Sequence, residues 1–274
     1  MMANRSSSRV AIVTGASRGI GRGVALGLGE AGWTVYVTGR TLDVGQSERP
    51  GTLLATAREI DEIGGTGIAA RCDHRVDADS AALFDRVMSE RDHLDLLVNN
   101  ATAYTTDVGP PEDVPFWEQP LEVWDLMHAV GLRSHFVASV HAARAMISAG
   151  RGLIVNVSSI GAIKYTGHVS YNVVKAGVDM LTAGTAVELR DHGVAVVSLW
   201  PRLTRTEGVA AHPERFPVAK AWSPILNGRI VAALAEDPAI LDLTGQALDI
   251  GAMAARYGIH DVDGRQPEPR PTRD

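Results

Sequence analysis

The sequence predicts an α/β fold: one parallel sheet of about seven strands with helices on both faces. Three observations predict it. Short runs of β-branched and aliphatic residues alternate with longer stretches of helical period along almost the whole chain. Those short runs are nearly continuous in apolar character, as strands buried on both faces are. No shift in composition divides the 274 residues, so a single domain over residues 1–260 is expected, with 261–274 as an extended or mobile tail.

The elements follow in order. Residues 10–14 form the first strand, ending in the turn Gly15-Ala16-Ser17-Arg18-Gly19-Ile20-Gly21 and a helical pattern to 31. The second strand is 35–38, and a helix over 53–63 is stopped by Gly64-Gly65. The third strand is 67–71, followed by a helix over 80–88. The fourth, 94–98, runs into Asn99-Asn100-Ala101. A loop with Pro110, Pro111, Pro115 and Pro120 precedes one long helix over 121–149. Residues 153–157 are the fifth strand, and an apolar period from Tyr171 through Val178 and Leu181 to Leu189 marks the next helix. The sixth strand is 194–199; residues 202–224 are irregular or weakly helical and placed to act as a lid. A helix over 225–235 and a strand over 246–250 close the pattern, which is that of a doubly wound sheet.

Composition excludes several functions. A net charge of −6 offers no basic surface for nucleic acid. The lone cysteine, Cys72, rules out an internal disulfide and a cysteine-cluster metal site. No apolar run reaches membrane-spanning length, and residues 1–9 are polar without the hydrophobic core of a secretory signal. A soluble, cytoplasmic protein is expected. His128, His135 and His141 share a helix but not the spacing of three or four that metal ligands need, so no metal is expected.

Two features carry chemistry. Glycines between a first strand and its helix permit a tight turn and bring backbone amides close to a pyrophosphate at the helix N-terminus. Here strand, glycine turn, helix and second strand occur in the order that such a Rossmann-type nucleotide site requires. The second strand ends in Gly39-Arg40-Thr41 with no carboxylate nearer than Asp43, and Arg18 lies inside the glycine turn. Arginine there accommodates a ribose 2′-phosphate, so NADP(H) is favoured over NAD(H). The second feature is Tyr171 and Lys175, four apart on a helix and hence on one face. Bringing a tyrosine from ~10 to ~7 takes about 4 kcal/mol, which one positive charge at ~4 Å supplies at an effective dielectric of ~20, before desolvation opposes it. The pair is expected to act as an acid–base catalyst.

Together, the glycine motif, Asn99-Asn100-Ala101 and the Tyr171/Lys175 spacing resemble the short-chain dehydrogenase/reductase family over nearly the whole chain. Thr38-Gly39-Arg40, Phe116-Trp117-Glu118, Val130-Gly131-Leu132-Arg133, Ser198-Leu199-Trp200-Pro201 and the stretch 256–265 look closest to its subgroup called dehydrogenase/reductase member one. The resemblance implies hydride transfer between NADP(H) and a small carbonyl or secondary-alcohol substrate, by a homodimer or homotetramer. By motif, Gly15, Ser17, Arg18, Gly19, Ile20 and Gly21 would surround the phosphates and ribose, and Arg40 the 2′-phosphate. Asp73 would meet the adenine amino group, Asn100 the adenosine-side ribose, and Pro201 and Thr206 the nicotinamide end. Ser159 would hydrogen-bond the substrate oxygen. Tyr171 would exchange its proton, and Lys175 would hold the nicotinamide ribose and depress the Tyr171 pKa.

The chain departs from the family pattern at three places. Thr102 stands where a glycine follows the fourth strand; Gly131 stands where an asparagine of the long helix supports proton relay to the lysine; Arg202 stands where a glycine follows Pro201. Arg202 is expected to bring a bulky cation to the nicotinamide end, and a side chain restored at 131 to speed relay if the helix has room. Gly131 and Arg202 also support an alternative, a dinucleotide-binding sensor or assembly protein with little turnover. The serine is ambiguous as well: gap-free alignment of the fifth strand picks Ser159, whereas spacing to Tyr171 picks Ser158. Ser159 is preferred.

Overall fold

A computed structural model of the protein describes residues 9–103 and 114–270. Pro110 and Pro111 of the expected loop, and residues 271–274 of the tail, lie outside the described residues. Seven strands are found among those described: β1 (Val10–Thr14), β2 (Thr34–Gly39), β3 (Thr66–Arg71), β4 (Leu96–Asn99), β5 (Gly152–Val157), β6 (Val194–Trp200) and β7 (Ala247–Asp249). They pair in parallel throughout, in the order β3-β2-β1-β4-β5-β6-β7. The helices are α1 (Gly19–Glu30), α2 (Leu53–Glu62), α3 (Asp77–Arg91), α4 (Leu121–His128), α5 (Ser134–Ala149), α6 (Val169–Leu189), α7 (Glu207–Ala210), α8 (Pro224–Glu236) and α9 (Ile250–Tyr257).

The period-two alternation of each strand splits the core in two. Ala11, Val13, Val35, Val37, Val155 and Val197 face α1, α2, α8 and α9, where they meet Val24, Leu28, Leu226 and Ile230. Val10, Ile12, Tyr36, Ile154 and Val196 face the other way, onto Phe84 of α3, Met146 of α5 and Leu189 of α6. α1 is fixed by its contact with α8: a Cβ on Gly27 would run into the backbone of Gly228 and Arg229, so only glycine allows that approach. The contact sets where the N-terminus of α1 points.

Several expectations need correction. α3 begins three residues before 80, because Asp77 and Asp79 favour a helix N-terminus that apolar periodicity does not reveal. β4 starts at Leu96, and just before it the Asp95 side chain accepts from the Val10 amide at 2.9 Å. The single helix expected over 121–149 is interrupted by one turn of π-helix, Ala129–Arg133, between α4 and α5. The strand expected over 246–250 ends at Asp249, which caps α9 by accepting from the amides of Gly251 and Ala252. Residues 261–270 form no helix or strand, yet Asp261 is buried and accepts from the Ser223 amide at 2.8 Å at the head of α8.

Candidate active site

The strand order reverses between β1 and β4, and the crevice beyond their C-terminal ends is where an open α/β sheet places its ligand. Gly15 and Gly19 turn the chain there with φ of +66° and +61°. The turn is joined to β4 from below. Asn100 Nδ2 donates to the carbonyls of Thr14 and Gly15 at 2.8 and 3.2 Å. Thr14 Oγ1 accepts from the amides of Asn100 and Ala101 at 2.9 Å. Ser17 and Gly21 are buried, and Ile20 packs on the core. Asn100 is thus committed to shaping the turn through its amide nitrogen.

The Gly19 amide, first in α1, donates to Glu207 Oε2 at 2.8 Å. Glu207 begins α7, whose N-terminus Thr206 caps by accepting from the Val209 amide at 3.3 Å. Pro201 is buried just beyond β6. The head of α1 therefore already holds an anion, and a pyrophosphate suits the same donors. Sequence reasoning missed Glu207, because nothing local marks a residue whose partner lies 188 positions away.

At the end of β2, Arg18 is folded over the 49–51 segment, donating to the carbonyls of Pro50 at 2.8 Å and Gly51 at 3.1 Å, and to Thr41 Oγ1 at 3.3 Å. Arg40 is exposed. Asp73, past the end of β3, accepts from Arg75 at 2.6 Å, and that guanidinium pulls its carboxyl down to about 2. Three guanidinium groups and a carboxylate ionised at neutral pH thus surround the β2–β3 end.

The second centre lies beyond β5. Tyr171 Oη donates to Ser159 Oγ at 2.9 Å, and the same oxygen accepts from the Gly161 amide at 3.0 Å. With both acceptor positions taken, the Ser159 hydroxyl has its own proton left to give to a third group. Ser158 is instead occupied by the backbone of α6, donating to the Lys175 carbonyl at 3.2 Å. Lys175 is 5% exposed; its ammonium donates to the Val157 carbonyl at 2.9 Å and sits 5.6 Å from the centre of the Tyr171 ring.

Burial, more than the charge of Lys175, sets the direction for the Tyr171 hydroxyl in this arrangement. Burial pushes the Tyr171 hydroxyl above its ordinary value, and the bond to Ser159 pulls the other way without lysine's charge reversing the sense. Burial likewise brings Lys175 down to about 8, opposed by the charge of Asp179. The cause is common to both: the first turns of α6 are packed against β5 and β6, where burial disfavours the charged form of each group.

The three departures now have positions. Arg202 does not aim a free cation at the nicotinamide end; it pairs with Asp249 at 2.9 Å and also reaches the Glu268 carbonyl. One support of the low-turnover alternative is thereby removed. Gly131 lies in the π-helical turn against α6, where a Cβ would stand 2.9 Å from Val174 Cγ1 and 3.5 Å from Thr102 Oγ1. His135, one turn on, is buried and contacts the Ala101 carbonyl through Nε2 at 3.1 Å; burial lowers it to about 3, so it is neutral. Asn99 braces the sheet, donating to Asn156 Oδ1 at 2.9 Å and Ser139 Oγ at 3.0 Å.

Comparison with known proteins agrees with this geometry. Residues 9–215 match the family model described as short chain dehydrogenase. The mouse protein "Dehydrogenase/reductase SDR family member 1" is 45% identical over 271 residues, covering 94% of this chain and 84% of that one. Among solved structures, a metagenomic short-chain oxidoreductase in complex with NADP superposes with a TM-score of 0.70 at 31% identity, over 88% of this chain and 96% of that one. A variant of actinorhodin polyketide ketoreductase with NADPH gives 0.76 at 28% identity, over 90% and 97%.

Proposed function

The chain belongs to the short-chain dehydrogenase family, and on that footing we propose that it is an NADP(H)-dependent oxidoreductase acting on a carbonyl or its secondary alcohol. The observation that carries the reading is the Tyr171–Ser159 hydrogen bond of 2.9 Å beside a buried lysine. It lies at strand ends adjoining the glycine-turn crevice. NADP(H), when bound, supplies or accepts the hydride.

The protein's own residues do the rest. The backbone of the turn Gly15–Gly21 and the head of α1 hold the pyrophosphate. Arg40 and Arg18 favour the 2′-phosphate, with Asp73 toward the adenine. Hydride arriving at a carbonyl carbon builds negative charge on its oxygen, so donors aimed at that oxygen lower the barrier. Ser159 contributes its remaining proton as a hydrogen bond. Tyr171, kept protonated at neutral pH by burial, delivers its own as general acid. Lys175 holds the nicotinamide ribose hydroxyls and adds positive charge behind the phenol. Pro201 and Thr206 border the nicotinamide end, and residues 202–224 cover the substrate.

No described helix is long and apolar enough to cross a membrane. We place the enzyme in the cytoplasm as a homodimer or homotetramer. Val173, Met180 and Val187 support the assembly: spaced by seven, they expose 43%, 70% and 79% of their surface along α6. Light scattering at micromolar concentration should give a multiple of the 29.1 kDa chain mass; a strictly monomeric mass rejects that part.

NADPH oxidation over a panel of ketones and aldehydes tests the main reading. Turnover with at least one member should fall about 10²–10⁴-fold in Tyr171→Phe while NADPH binding persists. NADPH binding without turnover on any member would leave the sensor alternative standing instead.

A further inference from the structure

Tyr171, Lys175 and Asp179 follow one another at intervals of four on α6, which stacks them on one face. Only the first two have a place in the chemistry above. Asp179 is held firmly by β6: Ser198 Oγ donates to Oδ1 at 2.6 Å, and Trp200 Nε1 donates to Oδ2 at 3.0 Å. Lys175, one turn earlier, is buried with no carboxylate in ion-pair contact among the described residues. A buried ammonium without a countercharge sheds its proton readily.

We propose that Asp179 is a positioning residue for the reaction: a carboxylate locked to β6 that keeps Lys175 charged from one helical turn below. The proposal rests on the role given to Lys175 above. Ser198 and Trp200 hold the carboxylate oriented within the fold instead of turning to solvent. Among the described residues no other charge substitutes for it. On α6 the neighbouring titratable group is Tyr171, which is neutral; α5 presents His135, which burial also keeps neutral. β5 offers the Val157 carbonyl and two serine hydroxyls, and β6 offers Ser198 and Trp200, both already engaged with Asp179. Lys175 stands at about 8, with Asp179 the one charge raising it against burial. Without that charge the ammonium is lost at lower pH.

The chain has three lysines, Lys164, Lys175 and Lys220, so 13C-labelled lysine gives a three-signal titration, with the Lys175 signal assigned by Lys175→Met. Asp179→Asn keeps the shape and can still pair with Ser198 and Trp200. We expect it to move the Lys175 midpoint down by about one pH unit or more. The alkaline fall of kcat/KM should move by the same amount: about five-fold lower at pH 8, nearly unchanged at pH 6. Ser198→Ala, which loosens the clamp but leaves the charge, should leave both midpoints in place. An unmoved Lys175 midpoint in Asp179→Asn overturns the proposal, as does an equal loss of rate at every pH in both variants. The titration needs no turnover. Absence of activity in the unmutated protein would therefore count against the proposed function, while the Lys175 midpoint still decides for or against Asp179.

Discussion

Gly131→Asn tests how closely the π-helical turn is fitted to the catalytic helix. The sequence suggested that an asparagine here would restore a relay group and speed turnover, provided there was room. The room is absent. A Cβ at 131 would stand 2.9 Å from Val174 Cγ1, whereas ordinary van der Waals contact begins at 3.4 Å, so α4–α5 and α6 must part by about 0.5 Å (3.4 − 2.9). Val174 is 1% exposed and packs with Val123, Met127, Leu132 and Tyr171, so it has no free direction in which to yield. Overpacking of this kind costs ~1–3 kcal/mol. Replacing a helical glycine returns a few tenths. A net loss of about 1–2 kcal/mol lowers Tm by roughly 2–8 °C in a domain of this size. The displaced wall carries Tyr171, and a shift of half an ångström at a proton donor reduces turnover by about ten-fold. Differential scanning fluorimetry and steady-state kinetics read both effects. Val174→Ala in the same chain removes the clashing methyl and should restore turnover without restoring Tm. A Gly131→Asn protein melting within about 1 °C of the unmutated one, with equal or faster turnover, would refute the reasoning and reinstate the relay.

Arg40→Asp should reverse the preference for NADPH over NADH, because a carboxylate there repels a 2′-phosphate and accepts from a 2′-hydroxyl; equal dissociation constants for the two cofactors in the unmutated protein would already contradict the premise. Glu207→Gln removes the anion held by the Gly19 amide and should tighten NADPH binding about three- to ten-fold by fluorescence titration, so unchanged or weaker binding would show that the carboxylate does not compete. Lys175→Met should abolish turnover yet stabilise the fold. Because the folded value, about 8, lies below the ordinary 10.5, the unfolded chain binds the proton more tightly, and burying the charge costs ~3 kcal/mol at every pH below 8. Less ~1 kcal/mol for the lost bond to Val157, Tm at pH 7 should rise by about 4–8 °C. The gain should shrink between pH 8 and 10.5, where the folded ammonium deprotonates first; a gain that stays constant across that window argues against a charged lysine in the fold.

Much of this protein is legible in one dimension because its determinants are local or periodic. The strand runs, the glycine turn and the four-residue step from Tyr171 to Lys175 are properties of neighbouring residues, and they gave the parallel sheet and both halves of the site. The sequence also narrowed the serine to two adjacent positions. What tertiary structure decided is wherever partners are distant in the chain. Beyond β5, Ser159 met the Tyr171 hydroxyl while Ser158 was taken up by the Lys175 backbone carbonyl. Asp249 took the charge of Arg202, 47 positions away, and Glu207 reached the head of α1. Burial pushes the Tyr171 hydroxyl up, since the depth of a residue is a sum over the whole fold and no spacing encodes it. Period and turn chemistry are written along the chain; desolvation and long-range charge pairing exist only once the sheet has closed over α6.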